Sequence, residues 1–388
     1  MENFKFEKDV CPIAKMGDSY YLLILKKDRH TKGPGVISVT IDLDKIEIGS
    51  PIDILKHLKF NPWKAVGDPL EQERVLQLIK QKLDNQTIIE KIINPLHGMK
   101  EKVYVSKLLA SLQEFYSAFV NVLKTQNIDV IELRNTNDIW CRDFMPAKSA
   151  DGRHILFNYN PSYLQQKWQH LITPRENIMH ILNDLKIEFD PVSDINLDGG
   201  NVVQCQNKVI ITDAVFRENG ITKDDKSGQN EMIKSLKNHF KASVIIIPHQ
   251  PDDPLSHSDG VVRFLNEKTV LVNNFSSMLK TNFEESKHYM DNFFGALGRA
   301  GLDIIQVPYA PVDIRGEDGM PAATGLYINY LETKNCIFLP QFNVNRAKDE
   351  EALKLFRNLF KSENKVVIPI NSQIIANKGG VLNCITWN

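Results

Sequence analysis

The sequence predicts an α/β protein in which five similar units form a radial, pseudo-symmetric array behind an N-terminal extension or small α/β domain. Three observations carry this. From Val103 onward the chain repeats one order: an amphipathic helix, a short apolar strand, then a polar turn leading into another strand or hairpin. Taking Asp143, Asn201, Gly260, Gly325 and Gly380 as equivalent points in those turns, the steps between them are 58, 59, 65 and 55 residues. Two segments, DGVVRFLNEKTVLVNNF and GLYINYLETKNCIFLPQF, read as antiparallel hairpins, which a purely parallel sheet does not contain. An open doubly wound sheet would also alternate helices and strands, and the hairpins weigh against it. Units that each bury an apolar face against the next give a stacked or radial array, and closure would bring the five turns to one central site.

Residues 1–102 form the expected N-terminal region. Two strands, YYLLILKK and GVISVTIDL, flank the turn-rich DRHTKGPG, a helix is expected after Ser50-Pro51, and EQERVLQLIKQKL has apolar spacings of three and four. The boundary falls in the charged stretch from Gly98 to Lys102, leaving 103–388 as the second domain. There the expected helices are SKLLASLQEFYSAFVNVLK, ENIMHILNDL, EMIKSLKNHF, SKHYMDNFFGAL and EEALKLFRNLF. Each precedes a strand: IDVIEL before the first turn, then IEFD, SVIIIP, DIIQVP and KVVIPI.

Composition narrows the function. The 388 residues are 42% hydrophobic and carry 47 basic against 48 acidic side chains, a formal net charge of −1 without long single-sign blocks. A nucleic-acid or anionic-membrane surface is not expected, and a small molecule is the better partner. The start, MENFKFEKDVCP, is charged where a secretory leader needs an apolar stretch, and no segment reaches the ~20 apolar residues of a membrane span; a cytoplasmic location is expected. The five cysteines stand singly at 11, 141, 205, 336 and 384, so neither a disulfide framework nor zinc-type spacing is present. No metal or cofactor is expected, and a homo-oligomer is compatible with the sequence.

The turns hold the chemistry. NTNDIWCRDFMP offers Asp138, Trp140, Arg142 and Asp143, and NLDGGNVV offers Asp198 and Asn201 around Gly199 and Gly200, which permit close backbone approach. In SHSDGVVRF, strand alternation would put His257 and Asp259 on one face, as an acid/base imidazole and a carboxylate serving one substrate would need. GLYINYL contributes Asn329 beside Tyr327, and GGVLNCITWN contributes Cys384. Each has a commoner reading alone: an Asx-rich turn, a surface histidine, a small core cysteine. Together they place one thiol, one imidazole and several carboxylates at matched points of successive units. Carboxylates oppose a thiolate, so such a site is poorly suited to an ester or peptide. A guanidinium suits it: its planar N–H donors pair with carboxylates, and its charge helps ionise the thiol.

The motifs DIWCRDFMP, LDGGN, HSDGVVRF, GLYINYL and GGVLNCITWN, in that order over about residues 125–388, resemble the agmatine deiminase and bacterial peptidylarginine deiminase family of the guanidino-group-modifying superfamily. The resemblance implies a five-unit α/β propeller with its active site on the pseudo-symmetry axis. By motif, Cys384 resembles the nucleophile, Asp143 and Asp259 the carboxylates that grip the guanidinium, and His257 the acid and then the base. Trp140 resembles a channel wall and Asn329 a polar partner of the nucleophile; Arg142, Asp198 and Asn201 are further candidates for substrate binding. Three features depart from the family pattern: Asn383 rather than His precedes the cysteine, Asp198 stands where a glutamate is frequent, and the first hundred residues align with none of its motifs. Hydrolytic deimination of agmatine, arginine or an arginine residue is the expected reaction. An amidinotransferase and a non-catalytic guanidine-binding protein are the alternatives. Lys167, Arg153 and Arg217 are candidates for holding a substrate carboxylate.

Overall fold

The structure, a computed structural model, describes residues 101–388 other than 191, 252, 277–282, 317–318 and 364; of the first hundred residues it describes five strands. The chain separates into two compact units, Met1–Lys100 and Glu101–Asn388. In the first, β1 (Ile13–Met16), β2 (Ser19–Lys27), β3 (Pro34–Ile41), β4 (Ile46–Ile48) and β5 (Lys64–Ala65) form an antiparallel sheet in the order β4-β3-β2-β1-β5. The expected strands YYLLILKK and GVISVTIDL fall in β2 and β3, paired from Tyr20↔Ile41 to Lys27↔Pro34. The two helices expected after them lie outside the described residues.

The second unit repeats one topology: an antiparallel hairpin whose second strand is joined, through a helix, to a parallel third strand. It is complete in β10 (Val203–Cys205), β11 (Lys208–Thr212) and β12 (Ser243–Ile247). It recurs in β13 (Val262–Phe264), β14 (Thr269–Asn273) and β15 (Asp303–Val307). A third copy is β16 (Leu331–Glu332), β17 (Cys336–Gln341) and β18 (Val366–Asn371). Two further sheets are abbreviated copies. In one, β8 (Ala147–Lys148) and β9 (His154–Ile155) pair antiparallel and Phe189 bridges His154 in parallel. In the other, β6 (Glu101–Ser106) pairs parallel with β7 (Ile128–Leu133), and Trp387 bridges Tyr104 antiparallel. The expected boundary between 102 and 103 therefore falls inside β6.

Each connecting helix presents an apolar stripe to its neighbours. In α1 (Gln113–Thr125) the stripe is Phe115, Phe119 and Leu123; in α3 (Arg175–Asp184) it is Ile178, Ile181 and Leu182, and α2 is the short Cys141–Phe144 turn between them. The others are α4 (Lys226–Phe240), burying Leu236 and Phe240, α5 (Phe283–Arg299), burying Tyr289, Phe293 and Leu297, and α6 (Arg346–Leu359), burying Ala352 and Phe356. The first expected helix is split. Ser106 accepts a hydrogen bond from Leu108 N at 3.2 Å and starts a 3₁₀ turn over Lys107–Ser111 before α1 begins. The expected strand IEFD shrinks to the single bridge at Phe189, after the chain leaves α3 through Lys186 at φ +55°. Asp349, buried in α6, accepts from Tyr327 Oη at 2.8 Å and Asn343 N at 2.8 Å, pinning the turn before β16 to that helix. No described helix is long and apolar enough to cross a membrane.

Candidate active site

The chemistry-bearing residues stand in the turns that precede the hairpins. After β7 the chain enters α2. Cys141 is fully buried, with Sγ 3.1 Å from Ile385 O, and burial above all pushes its thiol up to about 12; it is a packing residue. Arg142 faces the tail: its backbone N–H donates to Cys384 O at 3.1 Å, Nε to Asn383 O at 3.3 Å and Nη2 to Asn388 Oδ1 at 3.1 Å. Asp143 is 7% exposed, and its Oδ1 makes no hydrogen bond among the described residues.

The second turn is a 3₁₀ segment, Gly199–Asn201. A Cβ on Gly200 would lie 2.4 Å from His257 Nδ1 and 2.6 Å from Asp143 Oδ1, so only glycine lets imidazole and carboxylate close over this backbone. Asp198 Oδ2 lies 3.0 Å from His257 Nε2 and accepts from Tyr163 Oη at 2.9 Å. The third turn is also 3₁₀, Ser258–Gly260, rather than the strand expected there. The same-face argument for His257 and Asp259 therefore fails. The imidazole, 5% exposed, sits between Asp198 and Asp143, whose Oδ1 is 3.7 Å from Nδ1. Asp259 Oδ2 instead accepts from Asn383 Nδ2 at 2.7 Å. Asn329 precedes β16 in a turn; its Oδ1 lies 3.2 Å from Asn383 N, 3.4 Å from Cys384 N and 3.3 Å from Cys384 Sγ. Cys384 lies in a turn, not in the strand-like run its apolar neighbours suggest.

Cys384, His257 and Asp143 line one cavity, together with Trp140, Asp138 and Lys378. Its apolar walls are Tyr159, Leu164, Trp168 and Leu171. Gly380 is what lets Trp140 close in, since a Cβ there would meet its ring at 2.4 Å. The other expected residues are elsewhere. Arg142 and Asp259 line a second, adjoining cavity of about 260 Å³. Asn201 Oδ1 accepts from Thr212 N at 2.9 Å and serves the backbone, and Asp198 serves the imidazole and Tyr163. None of the three cations offered for a carboxylate lines the cavity: Arg153 pairs with Asp151 and Asp190, Arg217 with Glu218, and the Lys167 ammonium lies 4.9 Å from the Trp168 ring centre. Lys378, Tyr163 and Asn383 were missed. An aromatic-rich NYNPSYLQQKW between strand and helix was the available signal for Tyr163.

The electrostatics favour protons on these groups. Burial opposes an imidazolium at His257, but Asp143, Asp198 and Asp259 outweigh it and push the group up to about 10. Burial raises Asp143 to about 8; His257 works against the rise, and Asp198, Asp259 and Asp138 add to it. Burial, then Asp259 and Asp143, hold the Cys384 thiol well above its usual range. The carboxylates of this cluster outnumber its one imidazolium, so a further cation is drawn to it. Among the described residues no group of three or more His, Cys, Asp or Glu side chains could hold a metal ion.

The sequence model of the family described as Porphyromonas-type peptidyl-arginine deiminase matches residues 74–388. No curated protein matches the chain. Solved structures with a similar fold include an agmatine deiminase of C. jejuni, 18% identical with a TM-score of 0.57, covering 74% of this chain and 93% of that one. An agmatine deiminase of Enterococcus faecalis is 17% identical with a TM-score of 0.58, covering 74% and 92%. A putative arginine deiminase from Porphyromonas gingivalis is 18% identical with a TM-score of 0.55, covering 74% and 95%.

Proposed function

The chain belongs to the Porphyromonas-type peptidyl-arginine deiminase family, and from that premise we propose that it hydrolyses the guanidino group of agmatine, arginine or an arginine residue to a ureido group and ammonia. We further propose that its five sheets close around a common axis as an α/β propeller, with the turns gathered at the centre. The observation that carries the functional reading is the buried Asp143 Oδ1, without a hydrogen bond, in the cavity that also holds Cys384 and His257. A guanidinium placed there supplies donors to that oxygen and a second positive charge among the carboxylates.

On this reading the substrate ionises its own nucleophile. The cation offsets the burial and the carboxylate charge that keep Cys384 protonated, and the thiol releases its proton to solvent. Sγ then attacks the guanidinium carbon. The carbon–nitrogen bond breaks as His257 donates a proton to the departing nitrogen, giving ammonia and a thiouronium on Cys384. The neutral imidazole next takes a proton from water, the hydroxide adds to the same carbon, and the carbon–sulfur bond breaks, the departing sulfur taking the added hydroxyl's proton, to give the ureido product and restore the thiol. Asp198 holds the imidazole, Asn329 orients the sulfur, and Asp143 keeps the carbon against it. Asp259 acts through its charge and through Asn383 rather than by gripping the guanidinium.

Mass spectrometry of the intact protein, acid-quenched during turnover of agmatine, arginine and a short arginine peptide in turn, tests this. An adduct confined to Cys384, with release of ammonia and a ureido product, is expected. Absence of both products across the panel would sink the proposal.

A further inference from the structure

Beyond the guanidinium-binding end, two charged side chains line the catalytic cavity, and they have opposite signs: Asp138 and Lys378. Asp138 is half-buried at the start of the turn that carries Trp140, where its Oδ1 accepts from Ile139 N at 2.6 Å. Lys378 comes from the tail turn just before Gly379 and Gly380, and its ammonium forms no ion pair among the described residues. The walls named with them, Trp140, Leu164, Trp168 and Leu171, are apolar or aromatic, as a flexible alkyl stem requires.

This lining separates the three substrates that the reaction alone leaves equal. Agmatine ends in an ammonium, which Asp138 attracts and Lys378 repels. An arginine at a peptide C-terminus offers Lys378 a carboxylate but leaves Asp138 without an ammonium. Free arginine carries both charges on one carbon. We propose that the preferred substrate is a free α-amino acid bearing a guanidino group, with Lys378 selecting its carboxylate and Asp138 its ammonium. The inference rests on the deiminase reading of the site, and its test is built to fail separately from it.

The test compares kcat/KM for arginine, agmatine, an acylated arginine and methylguanidine, in the full-length protein and in Lys378→Met. Arginine should exceed agmatine by about tenfold or more, the worth of one charge-assisted contact. Lys378→Met should remove most of that preference by raising KM for arginine far more than for agmatine, and Lys378→Glu should reverse it toward agmatine. Agmatine preferred by the unmodified protein, or an arginine-to-agmatine ratio unmoved in both variants, overturns the assignment while leaving deimination intact. Failure of all four substrates would instead remove the reading beneath it. Because Lys378 is exposed, both variants should fold, and circular dichroism checks that they do.

Discussion

At the scale of single residues, the site depends on contacts too short to tolerate change. Cys384→Ala should lower turnover by about 10⁴-fold or more while leaving the melting temperature nearly unchanged, because the sulfur fills little core volume; ammonia release and calorimetry check the two halves. Gly200→Ala would force the His257 ring and the Asp143 carboxylate apart, and a loss of about 10²-fold in kcat/KM is expected. The pH dependence has a worked direction. Below about 8, Asp143 carries a proton that the substrate must displace, so affinity should rise as pH climbs to that point. Above about 10, His257 loses the proton that the proposed mechanism sends to the leaving nitrogen, so turnover should fall. Asp198→Asn removes one of the anions that hold the imidazolium, so the alkaline limb should move to lower pH, with kcat reduced about 10²-fold. Much of this was legible beforehand, because cysteine, histidine and carboxylate stand in recurring turns. The partners were less so. Asp198 reads as a substrate ligand in sequence because its distance from His257, 59 positions away, is visible only in space.

At the scale of elements, the helices and parallel strands follow from apolar spacing, and IDVIEL, SVIIIP, DIIQVP and KVVIPI all stand as strands. The turns do not follow from it. Period-two alternation through SHSDGVVRF suggests a strand, yet backbone hydrogen bonding closes a 3₁₀ turn at Ser258–Gly260, where Asp259 accepts from Asn383. Tyr163 and Trp168 escape notice for a similar reason, since the 3₁₀ segments Ser162–Leu164 and Gln166–Leu171 have too few residues for any period to show. The anchor between α6 and the turn before β16 gives an element-scale prediction. Asp349→Ala leaves Tyr327 Oη and the Phe342 and Asn343 N–H groups unpaired and should cost about 3 kcal/mol, measured by urea unfolding.

At the scale of the whole molecule, the repeated sheet topology explains how residues far apart in sequence meet at one cavity. The repeat is visible in the spacing of the turns; its two abbreviated copies are not, because a sheet completed by a lone bridge leaves no strand-length signature. The tail is held from several sides: Tyr104 N donates to Trp387 O at 2.8 Å, Trp387 N to Tyr104 O at 2.9 Å, and Trp387 Nε1 to Pro146 O at 2.8 Å. Trp387→Ala should therefore cost about 3–5 kcal/mol and lower activity along with stability, since the lost packing lies three residues from the sulfur; thermal unfolding and turnover of the same preparation check it.

That pairing also has a consequence in time. The strand that opens the second unit gains its antiparallel neighbour only when residue 387 is free to fold back onto it. During synthesis, β6 must wait for this bridge until residue 387 has cleared the exit tunnel. The thiol at 384 lies three residues before that partner, so it and the completed strand enter the fold together.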